Sequence, residues 1–304
     1  MTSTHLKFNL LIIAFTLLLA TSCVDPDTYQ GPDSKSYLMI PDFEFESKLI
    51  ELGIDTEGLI DQKILKTDAK KVTHLNFNES SNPGRIRDFS GLEEFENITF
   101  LAASGQEIEN IDLSKNILLD TLLLDGNFLT NIDISNNPNL LLLDLKNNGL
   151  ESFKGLSKAK NLITLNLSFN HLKEIRIDNQ SVENLFITDN QLNSVDIRAA
   201  INLKSLLVTS NLLEDLNLSF NQKLETLIIS NNKLSSISLE SNPLLRHLYI
   251  SSNTLSGLDI SHHLYLTSIR ADRNPKLTCI KINENQEIPS ISISDYQQLS
   301  SECD

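Results

Sequence analysis

The stretch Leu224-Glu225-Thr226-Leu227-Ile228-Ile229-Ser230-Asn231-Asn232-Lys233-Leu234 decides how this chain folds. Leu227 and Ile229 alternate with period two, so in an extended segment both point to one side while Thr226, Ile228 and Ser230 point to the other. Asn232 falls where such a strand has to turn, and its amide carries both a donor and an acceptor for backbone groups that the turn leaves unpaired. A single copy of this unit cannot bury its own apolar side. It needs similar units stacked on both flanks.

Those units are present. They begin at Ile98, Leu119, Leu140, Leu162, Val182, Leu203, Leu224, Leu245 and Leu266, at spacings of 20 to 22 residues, after a longer irregular unit that opens at Val72. The alternating pair recurs as Leu165 and Leu167, Leu206 and Val208, and Leu248 and Ile250. The amide recurs as Asn127, Asn148, Asn170, Asn190, Asn211, Asn232, Asn253 and Asn274, with Ser80 and Gln106 in its place in the first two units. A buried backbone group left unpaired costs about 1–3 kcal/mol, so this column is structural. Further along most units lies a second alternating pair, such as Ile132 and Ile134 or Ile237 and Leu239, which predicts short extended segments on the back rather than helices. Self-similarity at this period marks a solenoid, whose stability is a sum over repeats and their interfaces.

The pattern L-x-x-L-x-L-x-x-N-x-L-x-x-L-x-L resembles that of the leucine-rich-repeat family and covers about 215 of the 304 residues. The resemblance implies an α/β-type, β-rich horseshoe with a parallel concave sheet, built from about ten 21-residue repeats over residues 72–286. The ends are expected to differ. Over 41–71, Asp42 is placed to cap a short helix with Phe45, Leu49 and Leu52 on one face and Gly53 as its stop; a further helical turn or two is predicted around Leu59 to Leu65. The segment from Asp55 is similar to an Asp-rich, EF-hand-like loop of Bacteroidetes leucine-rich-repeat proteins. Leu59 and Lys66 stand where calcium ligands are needed, so no calcium is expected there. Residues 287–304 read as a C-terminal cap tied by a Cys279–Cys303 disulfide, the default for two cysteines in an exported chain.

Export is read from the first 22 residues. Lys7 precedes an apolar run from Leu10 to Leu19, too short to span a bilayer but suited to a secretory signal peptide. Leu19-Ala20-Thr21-Ser22-Cys23 resembles a bacterial lipobox, with Ala20 where Leu is usual, and implies lipidation at Cys23. Residues 23–40, with Asp25, Pro26, Asp27, Gly31, Pro32 and Asp33, then read as a flexible tether. Acidic residues after the lipidated Cys resemble the surface-export signals of Bacteroidetes lipoproteins, which implies a surface-exposed outer-membrane location. A formal charge of -15 argues against nucleic acid as partner.

No exported-enzyme motif is present: no H-E-x-x-H, no G-x-S-x-G, no C-x-x-C and no phosphate-binding glycine loop. His262 and His263 read as exposed loop histidines, and Asp125 and Asp144 as carboxylates that approach across neighbouring strands without a closed pocket. Catalysis, cofactors and bound metals are therefore not expected. What stands out is the outward column of the strands, Ala102, Leu123, Asp144, Asn166, Phe186, Leu207, Ile228, Tyr249 and Arg270. Its four consecutive apolar members, Phe186, Leu207, Ile228 and Tyr249, form a stripe roughly 15 Å long at the usual strand spacing, with His247 beside it. The expectation is a monomeric, adhesin-like cell-surface lipoprotein that binds a protein or glycoprotein partner through this face. The alternative is an accessory outer-membrane lipoprotein that assists an envelope complex or captures glycans.

Overall fold

The computed structural model describes residues 36–303. Cys23, the apolar run and most of the expected tether lie outside the described residues.

The described chain opens with β1 (Tyr37–Met39), which leads into α1 (Phe43–Glu51). Asp42 caps this helix, its Oδ1 accepting from the amides of Glu44 and Phe45 at 2.9 Å each. Its Oδ2 accepts from the amides of Arg87 and Asp88 at 2.9 and 3.0 Å, so one carboxylate both starts the helix and fastens it to the first repeat. Phe45 and Leu49 are fully buried, and Phe45 packs against Phe77, Phe89 and Phe95 with ring centroids 4.8 to 6.2 Å apart. Gly53 ends the helix at φ +69°, a conformation open to glycine without steric cost.

Beyond Gly53 the structure departs from the expected second helix. The carboxylate of Glu46, buried under α1, accepts from the amides of Asp61 and Lys63 at 3.0 Å each. That draws the segment into an extended path, and β2 (Lys63–Leu65) pairs antiparallel with β1, Leu38 facing Ile64. Only the four-residue α2 (Lys66–Ala69) follows. The tether is also shorter than expected, because Leu38 and Ile40 are buried and residues from Tyr37 onward belong to the folded cap.

The strands then alternate between a long sheet and the back of the solenoid. The long sheet takes β3 (His74–Asn76), β4 (Phe100–Ala102), β5 (Thr121–Leu123), β6 (Leu142–Asp144) and β7 (Thr164–Asn166). After β8 (Glu174–Arg176) on the back come β9 (Asn184–Phe186), back strand β10 (Ser194–Asp196), then β11 (Ser205–Leu207), β12 (Thr226–Ile228) and β13 (His247–Tyr249). Back strands β14 (Leu258–Asp259), β16 (Cys279–Lys281) and β18 (Gln298–Ser300) alternate with β15 (Ser268–Arg270) and β17 (Ser290–Ser292). The long sheet has 11 strands, all pairing in parallel with their neighbours. The back carries only short extended pieces, β8 with β10 and β14 with β16 and β18. Since β17 joins the long sheet and β18 the back, residues 287–300 form one more turn of the solenoid. The Cys279–Cys303 disulfide, with Cα atoms 5.7 Å apart, ties the chain end to the turn before it.

Two features repeat after the long strand in the turns from Asn127 to Asn274. The residue before each ladder amide lies in the left-handed region, as in Gly126, Asn147, Ser210 and Asn231, at φ +55° to +71°. The amide itself then links backbone groups of two turns. In Asn211, Oδ1 accepts from the Leu192 amide at 3.0 Å, and Nδ2 donates to the carbonyls of Ile187 at 3.0 Å and Val208 at 3.2 Å. Leu192 and Ile187 belong to the preceding turn; Val208, and Thr209 whose carbonyl also accepts from Nδ2 at 3.2 Å, belong to its own. The same pattern holds at Asn127, Asn148, Asn170, Asn190, Asn232, Asn253 and Asn274. At the first end Gln106 takes the position, accepting from Ile86. Ser80 instead binds Glu51 of α1 and belongs to the cap. At the other end Gln297 donates to Ala271.

Asn211→Ala is expected to lower unfolding free energy by about 1–3 kcal/mol, since it strands buried backbone groups in two turns. Urea titration measures this, and a change within error contradicts the role. The disulfide closes a loop worth roughly 3 kcal/mol on the chain-entropy account. Reduction is therefore expected to raise amide exchange in the turns around Cys279 first, since solenoid contacts run between neighbours. Labelling of both cysteines in the native, unreduced protein refutes the bond.

Candidate functional site

Strand register decides which outward side chains meet. Phe186 lies opposite Leu207, Leu207 opposite Ile228, and Ile228 opposite Tyr249. Their inward neighbours Leu185, Leu206, Leu227 and Leu248 are fully buried, whereas the four outward residues are half-buried. The row thus stands in parallel strands across the sheet, and three strand intervals of about 4.8 Å make it roughly 14 Å long. Leu123, in the same column, is separated from it by Asp144 and Asn166. His247, half-buried, lies one column over, between Thr226 and Ser268.

Tyr249 is held at both its ring and its hydroxyl. Ser268 Oγ donates to the phenol oxygen at 3.2 Å, and the Arg270 guanidinium lies 4.7 Å from the ring centroid. Such a contact stabilises by roughly 0.5–2 kcal/mol depending on exposure. The sequence reading named Tyr249 but missed this pairing; the signal was the adjacency of Tyr249 and Arg270 in one column.

Toward the other end of the sheet the character changes. Asp144 accepts from the Lys146 amide at 3.0 Å and from Asn166 Nδ2 at 3.2 Å, and Asp125 accepts from Ser104 Oγ. Burial, with the like charge of Asp125 adding to it, pushes the Asp144 carboxyl above its ordinary value. Among the described residues no group of three or more His, Cys, Asp or Glu side chains is placed to hold a metal ion, and no helix is long and apolar enough to cross a membrane.

The sequence reading also missed a second ladder, on the back. Asn116, Asn137, Asn179, Asn221 and Asn242, each three residues before the start of a unit, are buried and donate from Nδ2 to carbonyls of the preceding turn. Ala159 and Ala200 interrupt the column, which is why it did not stand out. His263 occupies its next position. It is 3 % exposed rather than a loop histidine in solvent, with Nε2 3.1 Å from the Leu239 carbonyl oxygen and Nδ1 buried without a partner. Only His262 is exposed, as expected.

A second apolar surface lies on the loops that lead into the strands. Leu264 and Tyr265 are 66 % and 59 % exposed, and Leu244 is exposed in the turn before. Arg246 lies 6.0 Å from the Tyr265 ring centroid.

No protein-family model matches the chain. Human lumican is 30% identical over 159 residues, which cover 50% of this chain and 44% of lumican, so the match spans less than half of that protein. Among solved structures, the functional domain of InlJ from Listeria monocytogenes is similar over 89% of this chain and 64% of its own, with a TM-score of 0.64 at 24% identity. A leucine-rich-repeat protein of Leptospira interrogans is similar over 69% of each chain, with a TM-score of 0.55 at 20% identity. The fold is the leucine-rich-repeat solenoid. These likenesses, at such identities, speak to the fold alone.

Burial holds the His263 imidazole below the ordinary histidine value, with His262 as a nearby like charge and Asp259 opposing. The unfolded chain therefore binds the proton more readily than the native one. Stability from this group is present above the unfolded value near pH 6.5 and falls as pH drops through it. His263→Asn restores the ladder residue. It is expected to leave stability near pH 7.5 little changed and to flatten the loss between pH 7 and 5. Parallel pH slopes in the two proteins contradict this account.

Proposed function

We propose that this chain is a surface-displayed lipoprotein that captures a protein partner on the outer face of the long sheet, without catalysis. The single observation that carries the reading is the row Phe186, Leu207, Ile228 and Tyr249, brought side by side by strand register and half-exposed where the neighbouring columns carry hydroxyl, amide and, at His247, imidazole groups. A contiguous apolar row on a polar sheet face is the form an interface core takes. Tyr249, fixed by Ser268 and Arg270, is pre-ordered for contact, so little side-chain freedom is lost on binding. The edge patch around Tyr265 lies on loops. The sheet row has a backbone whose position is set by hydrogen bonds on both sides.

Display is the second half of the proposal. Acylation of Cys23 would anchor the chain to a membrane, with an outer-membrane, surface-exposed position as the reading that the residues after it support. Loss of palmitate incorporation on Cys23→Ala is the expected result, and labelling that survives the substitution sinks the anchor.

Capture of a partner from extracellular host material, rather than from envelope extract, supports an adhesin-like role; the reverse supports an accessory envelope role. With the captured partner in hand, Phe186→Ala and Tyr249→Ala are each expected to weaken binding by about 1–3 kcal/mol, because interface energy concentrates in aromatic anchors. Melting temperature is expected to stay nearly constant, and Glu240→Ala, exposed on the back, to change neither. Unchanged affinity in both aromatic variants places the site elsewhere.

A further inference from the structure

Within its three strand columns the outward face between β7 and β13 carries no Asp, Glu, Lys or Arg; Glu183 with Lys204 and Glu225 with Arg246 form ion pairs along its border, where the strands begin. Its three columns read Thr164, Asn184, Ser205, Thr226 and His247; Asn166, Phe186, Leu207, Ile228 and Tyr249; and Ser168, Thr188, Thr209, Ser230 and Ser251. In a chain of net charge -15 this stretch is an uncharged window. Charge returns at both ends with opposite character.

On β15 stands Arg270, exposed and without an ion pair among the described residues; its guanidinium contacts the Tyr249 ring. The nearby acid of the same segment is already engaged, since Asp272 takes Ser251 Oγ at 2.5 Å and Arg273 Nε at 2.8 Å. At the opposite end stand Asp125 and Asp144, both hydrogen-bonded to neutral groups and neither ion-paired among the described residues. Lys146, a cation whose charge acts on Asp144, lies 5.2 Å from the Phe169 ring centroid. A carboxylate is attracted at one end of the window and repelled at the other.

We infer that the face is polarised and takes an extended segment of a partner protein in which a carboxylate lies about 5 Å beyond a run of apolar side chains, the segment crossing the strands with its carboxylate on Arg270 and its apolar run over Tyr249 to Phe186. The offset is one strand interval. A planar guanidinium presents paired N–H donors to a carboxylate, and the Tyr249 ring 4.7 Å away restrains where it does so. Asp125 and Asp144 exclude the reverse orientation. The inference rests on the reading of this face as a binding surface, and makes Arg270 the residue that selects direction.

The test uses the full chain, immobilised, and a phage-displayed library of random nonapeptides. Nine extended residues at about 3.3 Å each match the six strand intervals from β6 to β15, roughly 29 Å. A protein this acidic favours basic peptides through its general field, so acidic selection is diagnostic. The expected outcome is enrichment of peptides with Asp or Glu next to three or four apolar residues. Clones so selected lose at least tenfold in recovery on Arg270→Glu, keep most of it on Arg270→Lys, and panning on Arg270→Glu favours Lys or Arg at the same place. Equal recovery on the parent and Arg270→Glu, no acidic preference, or no enrichment at all overturns the inference. Clones that need Phe186 but ignore Arg270 defeat the polarity and leave the binding face standing. Enrichment unaffected by Phe186→Ala and Tyr249→Ala defeats the binding face itself. Unchanged melting of the Arg270 variants, whose side chain is exposed, keeps folding out of the comparison.

Discussion

One amide per turn holds this solenoid together. A strand that must bend away from its sheet leaves carbonyls and an N–H facing the interior, where water cannot reach them. An asparagine side chain is just long enough to accept from one turn and donate to two, and in the residues from Asn127 to Asn274 it does so at every repeat. Because the amide hydrogen-bonds the preceding turn as well as its own, it holds successive turns at the spacing that the parallel ladder of backbone hydrogen bonds sets. Everything that matters on the outer face inherits that spacing.

The inner and outer sides of each strand therefore have separable duties. Leu206, Leu227 and Leu248 are fully buried and supply the apolar contact between turns. Leu207, Ile228 and Tyr249 occupy the alternate positions and contribute little to that core. Side chains on the outer columns can change without disturbing the stack, which is how a repeat scaffold presents different surfaces with one backbone. The two ends are handled differently from the middle. A phenylalanine cluster under α1 closes the first repeat, and a disulfide secures the last.

Most of this was legible in the residues. The 21-residue period, the alternating pairs and the asparagine column fix strand, turn and stacking direction, because each expresses a strong local requirement repeated many times. What escaped is where the requirement is met by mixed chemistry. The left-handed position before each ladder amide is filled by Gly, Asn, Ser, Asp, Phe and Arg, which share no composition. The back ladder is broken by Ala159 and Ala200, and His263 serves in it, so adjacency to His262 suggested a solvent loop. The final turn keeps Ile291 and Ile293 but has Gln297 in place of Asn, and the helix expected near Leu59 was displaced by a single buried carboxylate, that of Glu46. The outer row was visible as a column; its fixation by Ser268 and Arg270 depends on side-chain directions that spacing does not specify.

The central claim is that the outer face of the long sheet, and not another exposed apolar surface, is where a partner docks. Hydroxyl-radical footprinting of the chain alone and with its captured partner tests this residue by residue. The account predicts protection at Phe186, Leu207, Ile228 and Tyr249 with unchanged labelling at Leu244, Leu264 and Tyr265. Protection confined to Leu244, Leu264 and Tyr265, with the sheet row still fully labelled, contradicts it.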